Sequence, residues 1–297
     1  MSSIENISDI LRLEEPEALA NHLLNYTNLV ICGEPHRLIE IELYKHSCNH
    51  TDNFTHKFHL QKSFGHFYFH RLKSGINSPL REGTYKGLDI TFGSDDIYAS
   101  MLIRSIQTPD GDIIQGPCRC VNHILHTYFD LDSVTEFLNQ NPDIELKSFL
   151  TDDGSFPADK LTLEFADRSK AGRVIITNQV QIKSNKIYRV WCSPRVGLSL
   201  KRKIPSGIRY IMRPYRFTLF PRLKVNKTMV FLGMMYYHNI PLDDARALTG
   251  TTVKQANKAI TLFEEGQDLP TKLFKGKVLK ADDKYRLYGS YIHNILN

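Results

Sequence analysis

Ile39-Glu-Ile-Glu-Leu-Tyr44 alternates apolar and polar side chains at every step, which is the pattern of a β-strand buried on one face. Alternation places Glu40, Glu42 and Tyr44 together on one face of that strand. Such a face is either an ordinary solvent-exposed surface or a site where a carboxylate activates water beside an aromatic side chain. The pattern by itself leaves both interpretations open.

Other short segments rich in β-branched and aromatic residues surround this strand, and Gly, Pro and Asp bound them. They are residues 28–33, 66–72, 89–93, 100–107, 112–116, 161–166, 172–182 and 186–192, and an aromatic strand is also predicted in 209–221. Apolar residues at helical spacing predict helices in residues 4–13, 16–25, 118–129, 133–141, 228–238 and 243–263. The mixture predicts an α+β fold. We expect a single main domain, residues 1–225, with a curved antiparallel sheet and flanking helices, and a small helical extension in residues 226–297.

The composition is that of a globular protein of 297 residues, 41% of them hydrophobic and 24% charged. No apolar run approaches the roughly 18 residues of a membrane span, and the acidic N-terminus carries no visible secretory signal. Five scattered cysteines then favour reduced thiols. These features exclude a secreted disulfide scaffold, a collagen and a membrane protein. They predict an intracellular protein, located in the cytoplasm or nucleoid of a prokaryote or in the nucleus of a eukaryote.

Residues 168–242 form a basic block, which holds 16 Lys and Arg and no Asp or Glu, although the whole chain has a net charge of only +6. Aromatic residues are interleaved with these cations, among them Tyr188, Tyr210 and Tyr215. Cationic and aromatic side chains together favour nucleic acid, because both phosphates and bases can then be bound. The alternatives are a solvated face, or a surface for a protein partner or a membrane.

Seven motifs follow one another along the chain. They are Glu40-Ile-Glu-Leu-Tyr44, Asp52-Asn-Phe-Thr-His56, Gly65-His-Phe-Tyr-Phe-His70, Leu102-Ile-Arg-Ser105, Gly116-Pro-Cys-Arg-Cys-Val121, Ser193-Pro-Arg-Val-Gly-Leu198 and Arg213-Pro-Tyr-Arg-Phe217. In this order they resemble the alkyladenine (3-methyladenine) DNA glycosylase family, over roughly residues 28–221. The resemblance implies an enzyme that flips a damaged or modified purine out of DNA and hydrolyses its N-glycosidic bond with water. It implies neither a metal nor a cofactor.

The resemblance also implies roles for individual residues. Glu42 matches the general base that activates the attacking water, and Arg104 matches the arginine that helps to hold this water. Residues that match base-binding positions are Tyr44, His56, Tyr68, His70, Asp89, Arg195, Val196 and Gly197. Residues of the basic block expected to contact the nucleic-acid backbone are Lys201, Arg202, Lys203, Arg213 and Arg216. The expected partner is duplex DNA, with single-stranded DNA as an alternative, and the protein is expected to be a monomer.

The chain departs from the family pattern at two places near the base. Leu43 replaces a small alanine, and residues 71–86 replace the short tip that carries the family's intercalating tyrosine, for which Tyr85 is the candidate here. Two other functions therefore stay open: hydrolysis of another N-glycoside, in RNA or a nucleotide, and binding of modified bases by an inactive module. The intact Glu42–Arg104 pair favours an enzyme. His46, Cys48 and His50 are closely spaced, but no second pair of ligands follows, so no metal site is predicted.

The C-terminal segment Leu242–Ile260 is similar to a helix-turn-helix, with its turn at Thr249-Gly250-Thr251. The predicted second helix carries Lys254, Gln255, Asn257 and Lys258, which are side chains that suit DNA. The alternative is a plain pair of helices that packs on the main domain.

Overall fold

The computed structural model describes residues 6–151, 154–166, 174–177, 180–183, 186–201, 207–223 and 227–296. The chain forms two compact units. Unit 1 comprises Met1–Cys48 and His56–Val190, and unit 2 comprises Asn49–Thr55 and Trp191–Asn297. The boundary predicted near residue 225 therefore lies inside unit 2.

Unit 1 contains the strands β1 (Thr27–Ile31), β2 (Glu34–His46), β3 (Phe64–Phe69), β4 (Leu88–Phe92), β5 (Tyr98–Gln107), β6 (Ile113–Gln115), β7 (Leu161–Phe165), β8 (Val174–Thr177) and β9 (Val180–Lys183). Its helices are α1 (Ile7–Leu11), α2 (Pro16–Tyr26), α3 (Pro117–Ile124), α4 (Val134–Gln140) and α5 (Asp143–Leu146). Unit 2 contains the strands β10 (Trp191–Ser193) and β11 (Arg216–Thr218). Its helices are α6 (Gly207–Tyr210), α7 (Lys227–Tyr236), α8 (Leu242–Thr249), α9 (Val253–Gln267) and α10 (Ala281–Tyr291). The predicted α+β class, the antiparallel sheet and the C-terminal helices are confirmed.

The sheet of unit 1 has the strand order β7-β1-β2-β5-β4-β3, and β6 pairs with the end of β5. The hairpin between β1 and β2 turns at Cys32 and Gly33, which both have positive φ angles, of 48° and 81°. This two-residue turn matches the twist of the flanking strands. It aligns Val30 with Pro35, so that β2 enters the centre of the sheet in a defined register.

The two faces of this sheet differ in chemistry. Leu43, Met101, Ile90 and Phe67 are aligned across β2, β5, β4 and β3, and each is at most 1% exposed. The adjacent row aligns Glu42, Leu102, Asp89 and Tyr68. Because neighbouring residues of a strand point to opposite faces, the first row belongs to the hydrophobic core and the second carries polar groups on the other face.

Unit 2 is built around α7, α9 and α10, whose buried residues include Phe231, Phe263 and Tyr288. The helices α9 and α10 cross at two glycines. A Cβ on Gly266 would lie 2.0 Å from the Arg286 carbonyl oxygen, and one on Gly289 would lie 1.8 Å from that of Phe263. Only glycine permits this close approach of the two backbones.

Two predicted strands are shorter than expected. Residues 209–221 form the end of α6 and the three-residue strand β11, because Pro214 lacks the N–H that a longer strand would need. Residues 186–190 are not a strand, since the Tyr188 N–H donates to the Asn25 side chain at 3.0 Å instead of to a neighbouring strand. The predicted strand 172–182 contains β8 and β9, and the residues between them lie outside the described ranges.

Candidate active site

Arg104 of β5 lies against the two glutamates of β2, at an irregularity in the pairing of these strands. Ile39 on β2 and Arg104 on β5 both lack an aligned partner there, and the register is the same on either side of them. The Arg104 Nε atom lies 2.7 Å from Glu40 Oε1 and 3.4 Å from Glu42 Oε1. The predicted Glu42–Arg104 pair is therefore assembled in the structure.

Glu42 is completely buried, with 0% of its surface exposed, and lies at the centre of this cluster. The half-buried Tyr44 donates its hydroxyl to Glu42 Oε2 at 3.1 Å. Burial acts to lower the pKa of Arg104, but the Glu42 and Glu40 carboxylates outweigh it and raise this pKa above its usual value. Arg104 therefore stays charged, and its single positive charge is shared by the two buried carboxyl groups.

A third buried carboxylate, Asp89, lies in the same row of the sheet and on the same face as Glu42. It accepts hydrogen bonds from Ser100 Oγ at 2.6 Å and from His70 Nε2 at 2.7 Å. Gln61 in turn donates to Ser100 Oγ at 2.8 Å. This network holds the Asp89 carboxylate in one orientation.

His56 is hydrogen-bonded through Nδ1 to the hydroxyl of Tyr68. Burial, followed by the nearby His70, lowers the pKa of His56 to about 4, so its imidazole is neutral near pH 7. Burial also raises the pKa of Tyr68 well above its usual value, so its hydroxyl stays protonated. The Nε2 atom of His56 is buried and has no hydrogen-bond partner among the described residues. It is a polar atom that a ligand could satisfy.

The loop of residues 71–86 is anchored at its base and exposed at its tip. Arg71 donates to Glu145 through both of its Nη atoms, at 2.9 and 2.5 Å, and lies over the ring of Phe58. Beyond this anchor the side chains of Leu72, Ile76 and Tyr85 are 58%, 76% and 70% exposed. The intercalation candidate Tyr85 is thus on the surface, in a short 3₁₀ turn, Gly83–Tyr85.

Arg195, Val196 and Gly197 lie in unit 2, whereas the Glu42 cluster lies in unit 1. Arg195 Nη1 is 2.7 Å from Asp52 Oδ2, and both side chains are 0% exposed. Arg195 thus holds the segment Asn49–Thr55 in unit 2, and this segment ends next to His56 in the chain. Val196 is half-buried, and Gly197 is exposed with a φ angle of 79°. Their predicted contact with a base stays a prediction.

The predicted backbone-contacting residues have different surroundings. Lys201 is exposed, and Arg202 and Lys203 lie outside the described residues. Arg213 donates to the Tyr215 hydroxyl at 2.8 Å and lies over the ring of Tyr210. Arg216 is fully buried, at 0% exposed, so the described structure does not present it to a phosphate and its expected contact stays a prediction. Its position in β11 next to β10 explains the burial.

No role was predicted for Ser100, Gln61 and Asp52, which hold the predicted site residues in place. A solvent-exposed face was one interpretation of Glu40 and Glu42, but Glu40 is only 2% exposed. It is also closer to Arg104 Nε than Glu42 is. Its position two residues from Glu42, on the same face of the strand, was the sequence signal that could have indicated a shared partner. Ser100 has a similar signal, because it is four residues before Arg104 on the same strand.

The described residues contain no group of three or more His, Cys, Asp and Glu side chains placed to bind a metal ion. In the same part of the chain, no helix has the length and apolar character needed to cross a membrane.

Fold and site together define an α+β protein with a buried carboxylate–guanidinium cluster on the polar face of an antiparallel sheet. No protein-family model matches the sequence. The chain is 33% identical over 225 residues to Uncharacterized protein L759 of Acanthamoeba polyphaga mimivirus, a match that covers 71% of this chain and 88% of the viral protein. The chain therefore belongs to the same family as this mimivirus protein.

Proposed function

We propose that the protein is a monofunctional DNA glycosylase that flips out a damaged or modified purine and hydrolyses its N-glycosidic bond. The observation that carries this proposal is the Glu42–Arg104 contact, with Tyr44 donating to the same carboxylate. In the proposed reaction Glu42 orients and deprotonates the attacking water, and Arg104 holds this water and the carboxylate in place. General-base assistance of this kind contributes typically about 10²–10⁴-fold to the rate.

Two half-buried side chains support the assignment of a base-binding region. Tyr44 contacts Glu42 and supplies an aromatic face, and His56 supplies a neutral imidazole whose Nε2 has no partner in the described part of the chain. If the Tyr68 hydroxyl donates to Nδ1, then Nε2 carries the proton and donates to an acceptor on the base. The exposed Leu72, Ile76 and Tyr85 supply apolar side chains that could fill the gap left in the duplex.

We infer that the protein acts inside the cell, in the cytoplasm or nucleoid of a prokaryote or the nucleus of a eukaryote, and that it binds DNA as a monomer. The exposed Lys201 and the stacked Arg213 are the described cations of the basic block that would contact phosphates.

The test is base release from oligonucleotides that carry hypoxanthine, ethenoadenine or a methylated purine, followed by alkaline cleavage. Glu42→Gln keeps the shape of the side chain and removes the base, so excision should be lost while DNA binding is kept. Glu40→Gln is expected to be milder, and thermal unfolding of both variants controls for loss of structure. Full excision by Glu42→Gln would refute the mechanism.

The same assay separates the alternatives. If the wild-type protein released bases only from RNA or free nucleotides, it would be a hydrolase of another N-glycoside. If it bound modified DNA without releasing any base, it would be a binding module, which the complete burial of Glu42 would then explain.

A further inference from the structure

The helices α8 and α9 of unit 2 are joined by the three residues Gly250, Thr251 and Thr252. Gly250 ends α8 in the left-handed conformation, with a φ angle of 66°, and its N–H donates to the Arg246 carbonyl at 2.8 Å. Thr252 begins α9 by accepting the Gln255 N–H, and the Gln255 side chain accepts the Thr252 N–H. Both ends of the turn therefore have well-formed caps.

The turn is held rigidly. The hydroxyls of Thr249 and Thr251 lie 2.7 Å apart, and Thr249 also donates to the Ala245 carbonyl at 2.8 Å. Close to the turn, the buried residues of the two helices are small. They are Ala245, Thr249, Thr251, Ala256 and Ala259, each at most 3% exposed. Two short helices, a turn of three residues with glycine, and small buried side chains are the features of a helix-turn-helix.

The first turns of α9 present a polar face to solvent. Its exposed residues are Lys254, Gln255, Asn257, Lys258 and Thr261. They include the amide and cationic groups that form hydrogen bonds with base edges and phosphates. Val253, at the start of the helix, is 54% exposed and could contact a thymine methyl group.

Positive charge is concentrated at the same end of the motif. Arg222 donates to the carbonyls of Ala247 and Leu248 at the end of α8, and Lys227 donates to the Gly250 carbonyl at 3.0 Å. Together with Lys254, these side chains place three cations around the turn and the start of α9, and a fourth, Lys258, pairs with Asp282 at 2.8 Å. Such a surface is complementary to the phosphates on both sides of a DNA groove.

We propose that α8 and α9 form a helix-turn-helix that binds duplex DNA, with the first half of α9 in the major groove. The proposal rests on the proposed function only in naming DNA as the ligand, because it requires none of the chemistry at Glu42. A helix of 15 residues is about 22 Å long, which is sufficient for such a contact. The exposed face is mainly polar, which favours DNA over a protein partner that would need an apolar face.

The test uses the full chain in a Glu42→Gln background, so that the result does not depend on base release. The double variant Lys254→Ala, Asn257→Ala removes two exposed polar side chains. It leaves Gln255 intact, which caps α9, and Lys258, which pairs with Asp282 at 2.8 Å. Binding is followed by fluorescence anisotropy on a panel of unmodified DNA duplexes at several salt concentrations. The matched control is Lys272→Ala, an exposed lysine beyond the opposite end of α9.

We expect the double variant to bind duplex DNA about tenfold or more weakly than its parent. The log–log salt slope should decrease by about 0.9 in magnitude, for one lost phosphate contact. The control should bind like the parent, and unchanged circular dichroism should show that the helices are intact. An RNA duplex should compete poorly, because its deep, narrow major groove excludes a helix. Equal affinity of parent and double variant for every duplex would overturn the proposal, and so would equal competition by RNA.

Discussion

Replacing Asp52 by asparagine is expected to destabilise unit 2 strongly, because the buried charge of Arg195 would lose its carboxylate. The two side chains are 2.7 Å apart and both are 0% exposed. Asparagine keeps the acceptor for the Phe54 N–H, which donates to Asp52 Oδ1 at 3.1 Å, so the substitution removes mainly the charge. The loss of one partner of a buried ion pair costs about 3–5 kcal/mol.

The lower end of that range is expected for this pair. Arg195 also donates to the Tyr210 carbonyl at 3.3 Å, and its guanidinium lies 5.7 Å and 5.5 Å from the ring centres of Phe54 and Tyr215. These contacts persist in the variant and stabilise the remaining charge, since each cation–π contact contributes about 0.5–2 kcal/mol. We therefore expect a loss of about 3 kcal/mol for Asp52→Asn.

Urea unfolding followed by tryptophan fluorescence measures this loss. Trp191 is the single tryptophan of the sequence and is a buried residue of unit 2, so its emission reports the unfolding of that unit. Arg195→Met combined with Asp52→Asn should be more stable than Asp52→Asn alone by about 1 kcal/mol or more, because no buried charge remains.

The matched control is the exposed pair Asp243–Arg246, whose atoms are 3.1 Å apart and whose aspartate is 89% exposed. Asp243→Asn should change the free energy of unfolding by less than about 0.5 kcal/mol. A loss below about 1 kcal/mol for Asp52→Asn, or additive effects in the double variant, would refute the reasoning about the buried pair.

Two further predictions concern unit 1. Burial lowers the pKa of His36 from 6.5 to about 4, so the unfolded chain binds a proton in this range that the folded chain does not, and stability should fall as pH decreases from 6.5 to 4. At about 1.36 kcal/mol per pKa unit, the loss in free energy of unfolding is on the order of 3 kcal/mol. Urea unfolding followed by circular dichroism at several pH values should show this loss. An equal loss of stability in His36→Asn would contradict the prediction. Gly93→Ala should cost several kcal/mol, about 3 or more, because its Cβ would lie 1.9 Å from the Gln61 carbonyl oxygen. Gly75→Ala, with nothing within 4 Å, is the control, and similar unfolding midpoints for the two variants would contradict the prediction.

Local patterns were sufficient to predict much of the fold. The alternation in residues 39–44 predicted the strand β2, and the apolar spacing in residues 118–129 predicted α3. Helical spacing predicted α2, α4 and the C-terminal helices. These signals depend on residues that are neighbours in the chain, because the side-chain periods of strands and helices are local properties.

The lengths of strands were predicted less well, because pairing partners are distant in sequence. Residues 186–190 look like a strand, yet Asn25 accepts the Tyr188 N–H that a neighbouring strand would otherwise bind. Nothing near Tyr188 in the chain indicates this competition.

For the site, the sequence by itself determined that Glu40 and Glu42 share one face and that Arg104 is a lone charge in an apolar strand. Only the tertiary structure decided that Arg104 contacts both glutamates, that Arg195 pairs with Asp52, and that Arg216 is buried. The physical reason is that an ion pair depends on the register and packing of segments far apart in the chain, whereas alternation depends only on the next residue.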